Sequence, residues 1–215
     1  MAALRLLENL HWLGHASFRL DGPPVIYFDP WKLRGCPPQA GIVLVSHEHS
    51  DHCSPEAVAR ISGPETVVVA SPAACAKLGG DVRELRPGER TTVGTVEIEA
   101  VPGYNVNKFR SPGVPFHPRE ARHTGFVVSV GGERLYFAGD TDRIPEMAEV
   151  RCDVALLPVG GTYTMTPEEA AQAAVDIGPQ VAIPMHWGGG VVGTRADAER
   201  FRDLYAGEVV ILEAQ

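Results

Sequence analysis

Nine short apolar runs rich in valine and isoleucine, each halted by glycine, proline or a polar cluster, dominate this chain: "HWLGHASFRL", "PPVIYFDP", "GIVLVSH", "TVVVASP", "TVEIEAVP", "GFVVSVGGERLYFAGD", "CDVALLPVG", "QVAIPMH" and "VVILEA". Runs this short and this β-branched read as strands. Gly131-Gly132, set between two apolar stretches, predicts a tight hairpin and therefore antiparallel pairing in part of the sheet. Helical stretches are expected over Pro55 to Ile61, Pro72 to Leu78, Pro167 to Ile177 and Ala196 to Tyr205. In the third, Thr166 and Glu169 make a capping box, Pro167 suits the first turn and Gly178-Pro179 ends it. Hairpins early and strand–helix–strand alternation late predict an α/β protein with more than one sheet. With 215 residues, 44% of them hydrophobic, one sizeable core and a single domain over residues 1–215 are expected.

Charge and cysteine usage narrow the function classes. The formal net charge is −8 and there is no basic run, which disfavours nucleic acid as a partner. The start, "MAALRLLENLHWLGHASF", is interrupted by Arg5, Glu8 and His11, so neither a secretory leader nor a membrane span is expected and the chain reads as cytoplasmic. Cys36, Cys53, Cys75 and Cys152 show no C-x-x-C spacing and read as reduced thiols. Cys53 lies beside the histidine cluster but outside its repeating pattern, so it reads as a neighbour.

The densest chemistry lies in "VLVSHEHSDHCSP", residues 43–55. His47 and His49, two apart on extended backbone, project to one side. Asp51 and His52 follow before Ser54 caps the next helix, so four ligand-type side chains crowd one strand–helix junction. Neutral imidazole and carboxylate are the donors that a borderline cation such as Zn²⁺ prefers. A solvated histidine-rich turn is the alternative, but so dense a string is improbable by chance in a chain with 8 histidines. Four groups on one turn cannot surround two ions, so further ligands must come from elsewhere. Asp140, ending "LYFAGD", and His186, ending "VAIPMH", each stand where a strand opens into a loop.

With "WLGHASF", "YFDP", "VSHEHSDH", "FAGDTD", "LLPVGGTYTMTPEEA" and "PMHWG" taken together, the chain resembles the metallo-β-lactamase superfamily of metal-dependent hydrolases from Trp12 to about Gly190. It is most similar to the branch containing ascorbate-6-phosphate lactonase-like proteins and N-acyl phosphatidylethanolamine phospholipase D. The resemblance implies an αβ/βα four-layer sandwich, two mixed sheets with helices outside. It also implies that His47 and His49 hold one metal, that Asp51, His52 and His186 belong to a second, and that Asp140 bridges. Asp29 matches an aspartate supporting the ligands from outside, and His15 a group near the metal cleft that contacts substrate or a ligand carboxylate. The usual third histidine of the first metal is missing: Asn105 or Tyr104 stands in its place. Asn105 and His117 are the candidates for that position, with His123 a further one, and the first site is expected to bind more weakly than the second.

The chemistry expected of such a site is hydrolysis. Water on Zn²⁺ has a pKa near 7 and supplies hydroxide at neutral pH, so one or two Zn²⁺ ions, with Mn²⁺ or Fe as alternatives, would activate the nucleophile while Asp51 orients it, with His15 as the second catalytic candidate. The bond attacked in the small-molecule substrate would be an ester, lactone or phosphodiester. The glycine-rich loops Gly160 to Thr164 and Trp187 to Arg195 offer backbone N–H groups to a substrate anion, with Tyr163 and Arg195 as side-chain contacts. The alternative class is an inactive metal-binding sensor or partner-binding domain, favoured by the absent third histidine.

Overall fold

The computed structural model describes residues 4–215, so the first three residues of the N-terminal stretch read above lie outside the described residues. Two mixed sheets dominate. The first runs in the order β1 (Leu10–Gly14), β2 (Ser17–Leu20), β3 (Ile26–Phe28), β4 (Ile42–Val45), β5 (Val67–Ala70), β6 (Val82–Glu84), antiparallel as far as β3 and parallel from there on. The second comprises β7 (Arg90–Val93), β8 (Val96–Gly103), β11 (His123–Val130), β12 (Glu133–Phe137), β13 (Val154–Pro158), β14 (Val181–Met185) and β15 (Glu208–Val209). Strands β12 to β15 are parallel, and β7, β8, β11 and β12 pair as antiparallel neighbours. A small ribbon, β9 (Phe109–Ser111) and β10 (Val114–Pro115), stands apart. The helices are α1 (Arg5–Asn9), α2 (Pro55–Ile61), α3 (Pro72–Leu78), α4 (Pro167–Ile177) and α5 (Arg195–Leu204). Among the described residues, no helix is long and apolar enough to cross a membrane.

Side-chain alternation explains the layering. In β3 and β4, Ile26, Phe28, Ile42 and Leu44 enter one core, while Tyr27, Val43 and Val45 enter another with Val58 and Ile61 of α2 and Ala74 of α3. Strands buried on both faces read as unbroken apolar runs, which is why "VIYF" and "IVLV" show no polar alternation. The first core is the seam between the sheets: Phe18 and Phe28 meet Phe137 with ring centroids 6.3 and 5.3 Å apart. Each such fully buried ring contributes about 1.5–3 kcal/mol. On the far side of the second sheet, α4 lays the small residues Ala170, Ala173 and Ala174 inward, fixed by the Thr166/Glu169 capping box and ended by Gly178 at φ 66°. This is the expected αβ/βα sandwich.

Two expectations are corrected here, and two strands were not read at all. "HWLGHASFRL" is a hairpin rather than one strand, because Gly14 and His15 take positive φ (105° and 54°) and turn the chain between β1 and β2. "VVILEA" gives the named strand only Val209: the Val210 N–H still donates to the Ala182 carbonyl at 3.1 Å, and Ile211 and Leu212 lie beyond the ladder and pack against the core. Strands β6 and β7 escaped notice because "VRE" and "RTTV" are mixed-polarity segments. The hairpin at Gly131-Gly132 forms as expected, with φ of 60° and 86°.

Candidate metal centre

The carboxyl ends of β3, β4, β12, β13 and β14 are followed by Asp29, His47, Asp140, Gly160 and His186, so two sheets deliver their loops to one edge of the sandwich. Asp29 is the anchor. It is fully buried with φ 41°, and accepts the Ser46 N–H at 2.7 Å, the Ser46 hydroxyl at 2.5 Å and the His52 Nδ1 proton at 2.7 Å. These bonds turn the chain out of β4 and aim the His52 Nε2 at Asp140 Oδ1, 3.2 Å away. A carboxylate behind an imidazole fixes both its ring orientation and its tautomer.

Two groups of donors result. His47, His49 and His117 form one: His49 Nδ1 lies 3.2 Å from His47 Nε2 and 3.1 Å from His117 Nε2. His15, Asp51, His52 and His186 form the other, within which His15 Nε2 donates to Asp51 Oδ2 at 3.0 Å. Asp140 stands between them. Its Oδ2 is 3.4 Å from His117 Nε2, 3.9 Å from His47 Nε2 and 3.1 Å from His186 Nε2.

Partnering and protonation both suit a cation. The buried atoms His52 Nε2, His186 Nε2 and Asp140 Oδ1 lie at ion-pair distance across the group yet make no well-directed hydrogen bond, a costly condition unless something else satisfies them. Burial, reinforced by neighbouring imidazoles, lowers the pKa of His47 well below its ordinary value and that of His117 to about 3, leaving neutral ligand-competent rings. Burial opposes charge on Asp51 and Asp140 too, yet the surrounding imidazoles outweigh it and hold both carboxyls below the usual range. At His52 burial is likewise outweighed, by Asp140, Asp29 and Asp51, and the pKa rises to about 9. Without a cation, a proton takes its place on that ring.

Asn105 is corrected as a candidate ligand. Its Oδ1 accepts both the His117 backbone N–H (2.7 Å) and Nδ1 (2.9 Å), and its amide nitrogen donates to Asp142 Oδ1 (3.0 Å) and the Tyr163 carbonyl (2.9 Å), so no polar atom is left for a metal. It holds His117, the histidine that joins His47 and His49. Tyr104 turns its hydroxyl to Glu146. His123 is buried behind the three-histidine group, 5.0 Å between ring centroids from His47, and pairs with Glu48 at 3.0 Å. Arg195 is corrected as a substrate contact: it opens α5 and commits its guanidinium to Glu199 and Glu213. Tyr163 packs edge-on against Phe116 at 4.8 Å. Cys53 lies in the second core, where burial raises its thiol pKa to about 11.

Sequence reasoning missed Ser46 and Asp142, and took Gly160 only as part of a substrate loop. Asp142, the second aspartate of "GDTD", accepts the N–H groups of Val106 (2.7 Å) and Asn107 (2.9 Å) besides Asn105, and so ties down the loop leading to His117. A Cβ on Gly160 would lie 2.7 Å from the His186 carbonyl oxygen and 2.8 Å from its Nδ1. Gly160→Ala is therefore expected to displace His186 and weaken cation binding about 10–100-fold with little change in helix or strand content. Isothermal titration alongside circular dichroism checks this, and unchanged affinity would show that His186 does not contribute.

Comparison with known proteins agrees with this geometry. A family model described as beta-lactamase superfamily domain matches residues 9–186. The chain belongs to the β-lactamase superfamily. A protein from Methanoculleus marisnigri named UPF0173 metal-dependent hydrolase is 38% identical over 185 residues, covering 83% of this chain and 80% of that protein. Among solved structures, one from Parabacteroides distasonis described as a metal-dependent hydrolase superposes with a TM-score of 0.85 at 33% identity, covering 96% of this chain and 93% of the other. One from Thermotoga maritima, described as a Zn-dependent hydrolase of the metallo-beta-lactamase superfamily, gives 0.66 at 25% identity, covering 96% and 98%. The chain is a metal-dependent hydrolase of this superfamily, and its His/Asp groups suit a divalent cation.

Proposed function

We propose that this chain hydrolyses an ester, lactone or phosphodiester bond of a small-molecule substrate with two divalent cations, zinc foremost. One observation carries the reading: two groups of imidazole and carboxylate donors converge on Asp140, with buried donor atoms left unpartnered. Zinc is supported by the donor chemistry and by the description of the Thermotoga maritima protein. In this reading His47, His49 and His117 hold one cation, Asp51, His52 and His186 the other, and Asp140 reaches both. Cations so held lower the pKa of a coordinated water to about 7 and polarise the oxygen under attack. His15 fixes the Asp51 carboxylate, whose side chain is partly exposed, as an acceptor that orients the attacking water. Asp29 keeps the His52 ring in register. The inactive-sensor reading drew on a missing third histidine, and His117 beside His49 withdraws that ground.

Protein purified without chelator should hold about two cations per chain and turn over at least one of cyclic phosphodiesters, phosphorylated lactones or simple esters, with chelation abolishing the rate. Less than about 0.2 cation per chain, with no uptake on titration, would sink the reading. Uptake should also release a proton, because His52 carries one up to about pH 9 in the metal-free chain. That pKa lies above the ordinary 6.5, so the His52 contribution to metal-free stability is fully present below 6.5 and is lost as pH rises through about 9. Proton release from His52 should fade over the same upper limit.

A further inference from the structure

A cleft of about 530 Å³ opens between the turn at Arg86 to Glu89 and the turn at Arg119 to Arg122, behind the three-histidine group. Arg86, Arg119 and Arg122 line it from these two segments, with Glu89, Tyr104 and His123. Arg86 pairs with Glu84, and Arg119 with Glu146 at 2.8 Å while lying 4.9 Å over the Tyr104 ring. Glu89 turns its carboxylate to the Arg86 backbone N–H at 2.8 Å. Among the described residues, the Arg122 guanidinium has neither a hydrogen-bond nor an ion-pair partner. The Arg122 backbone is left-handed, at φ 56° and ψ 41°, a conformation that costs a non-glycine residue on the order of 1 kcal/mol or more.

His123 supplies the second, independent observation. It lines the cleft, is only 2% exposed, and neither ring nitrogen has a hydrogen-bond partner, Nε2 lying 3.0 Å from Glu48 as an ion-pair distance alone. A buried nitrogen left unpartnered on a cleft wall, beside an unpaired guanidinium, calls for a ligand that accepts hydrogen bonds. One guanidinium fork saturates a planar carboxylate, whereas forks approaching from two segments suit a tetrahedral group with several anionic oxygens. The volume falls within the range of small-molecule sites and exceeds what a bare ion needs.

We infer that this cleft is an anion site, separate from the metal centre, that takes the phosphate of a small phosphorylated molecule, with Arg86 from one turn and Arg119, Arg122 and His123 from the other as its contacts. Apart from His123, which adjoins the metal centre, the lining includes none of the residues that would hold a cation, so the site does not depend on the hydrolytic reading. Inorganic phosphate titrated into the metal-loaded chain is the test, followed by calorimetry. Binding should be measurable below about 20 mM, weaken about tenfold or more in Arg122→Ala, and persist within about threefold in Asp140→Ala. Arg200→Ala removes an equal charge from α5 and should leave binding unchanged. No binding, loss in Asp140→Ala with retention in Arg122→Ala, or equal weakening by Arg200→Ala would overturn the inference: the second outcome puts phosphate on the metals, the third makes the effect one of net charge.

Discussion

Asp140→Ala is expected to lower cation content from about two per chain to one or fewer and to cut turnover by about a thousandfold or more. The reason is position: Asp140 Oδ2 lies within 3.9 Å of His47, His117 and His186, and Oδ1 3.2 Å from His52. In the two-cation reading, removing the carboxylate would deprive both donor groups of the one anion that lies between them. Metal assistance stabilises a hydrolytic transition state by several kcal/mol, and each 1.36 kcal/mol is a tenfold change in rate, which sets the scale. Elemental analysis and initial rates on whichever ester, lactone or phosphodiester the parent cleaves are the measurements. A variant keeping both cations and the parental rate would remove Asp140 from the centre.

The larger effect on stability should come from Asp29→Ala. Three donors, the Ser46 N–H, the Ser46 hydroxyl and His52 Nδ1, lose their acceptor in a fully buried place. An unsatisfied buried polar group costs about 1–3 kcal/mol, and breaking a buried charged pair about 3–5 kcal/mol, so a loss near the latter range is expected. For a chain of this size that is a fall of about 10 °C in Tm, accompanied by cation affinity about 10–100-fold weaker as the His52 ring loosens. Asp29→Asn should fare little better, because its amide nitrogen presents hydrogens to donors. Thermal denaturation with and without added Zn²⁺ decides: a Tm within about 2 °C of the parent would show that Asp29 is a bystander.

What could be read from the chain, and what could not, follows the range of the interactions. Strand ends carrying ligand-type residues were visible because β4 and the turn after it are local: His47, His49, Asp51 and His52 need only six positions of backbone. Pro55, Pro72 and Pro167 each open a helix behind a Ser or Thr cap, and these boundaries emerge as read. The choice between Asn105 and His117 was not visible, since it depends on the excursion from 106 to 116 that carries β9 and β10 and returns His117 to Asn105. The backbone closes that loop, Asn105 N–H donating to the His117 carbonyl at 2.8 Å. Arg195 failed for the opposite reason. Proximity in sequence to a glycine-rich loop says nothing about direction, and helix formation in α5 turned the side chain toward Glu199 one turn on. A signal for Gly160 did exist in "VGGT", but only the approach of the His186 carbonyl gives it meaning.

The seam between the sheets also sets a timetable. His15, Asp29 and the His47–His52 cluster all hang from the first sheet, completed by residue 84, whereas His117, Asp140 and His186 hang from the second. During synthesis the His15, Asp29 and His47–His52 segment therefore emerges before the opposing side chains of the second sheet exist. The pocket that joins them has no meaning until translation has passed residue 186. Neither half offers a nascent chain more than a fragment of the donor set, so the assembled sandwich, and not the conspicuous histidine string, is the unit that can distinguish one cation from another.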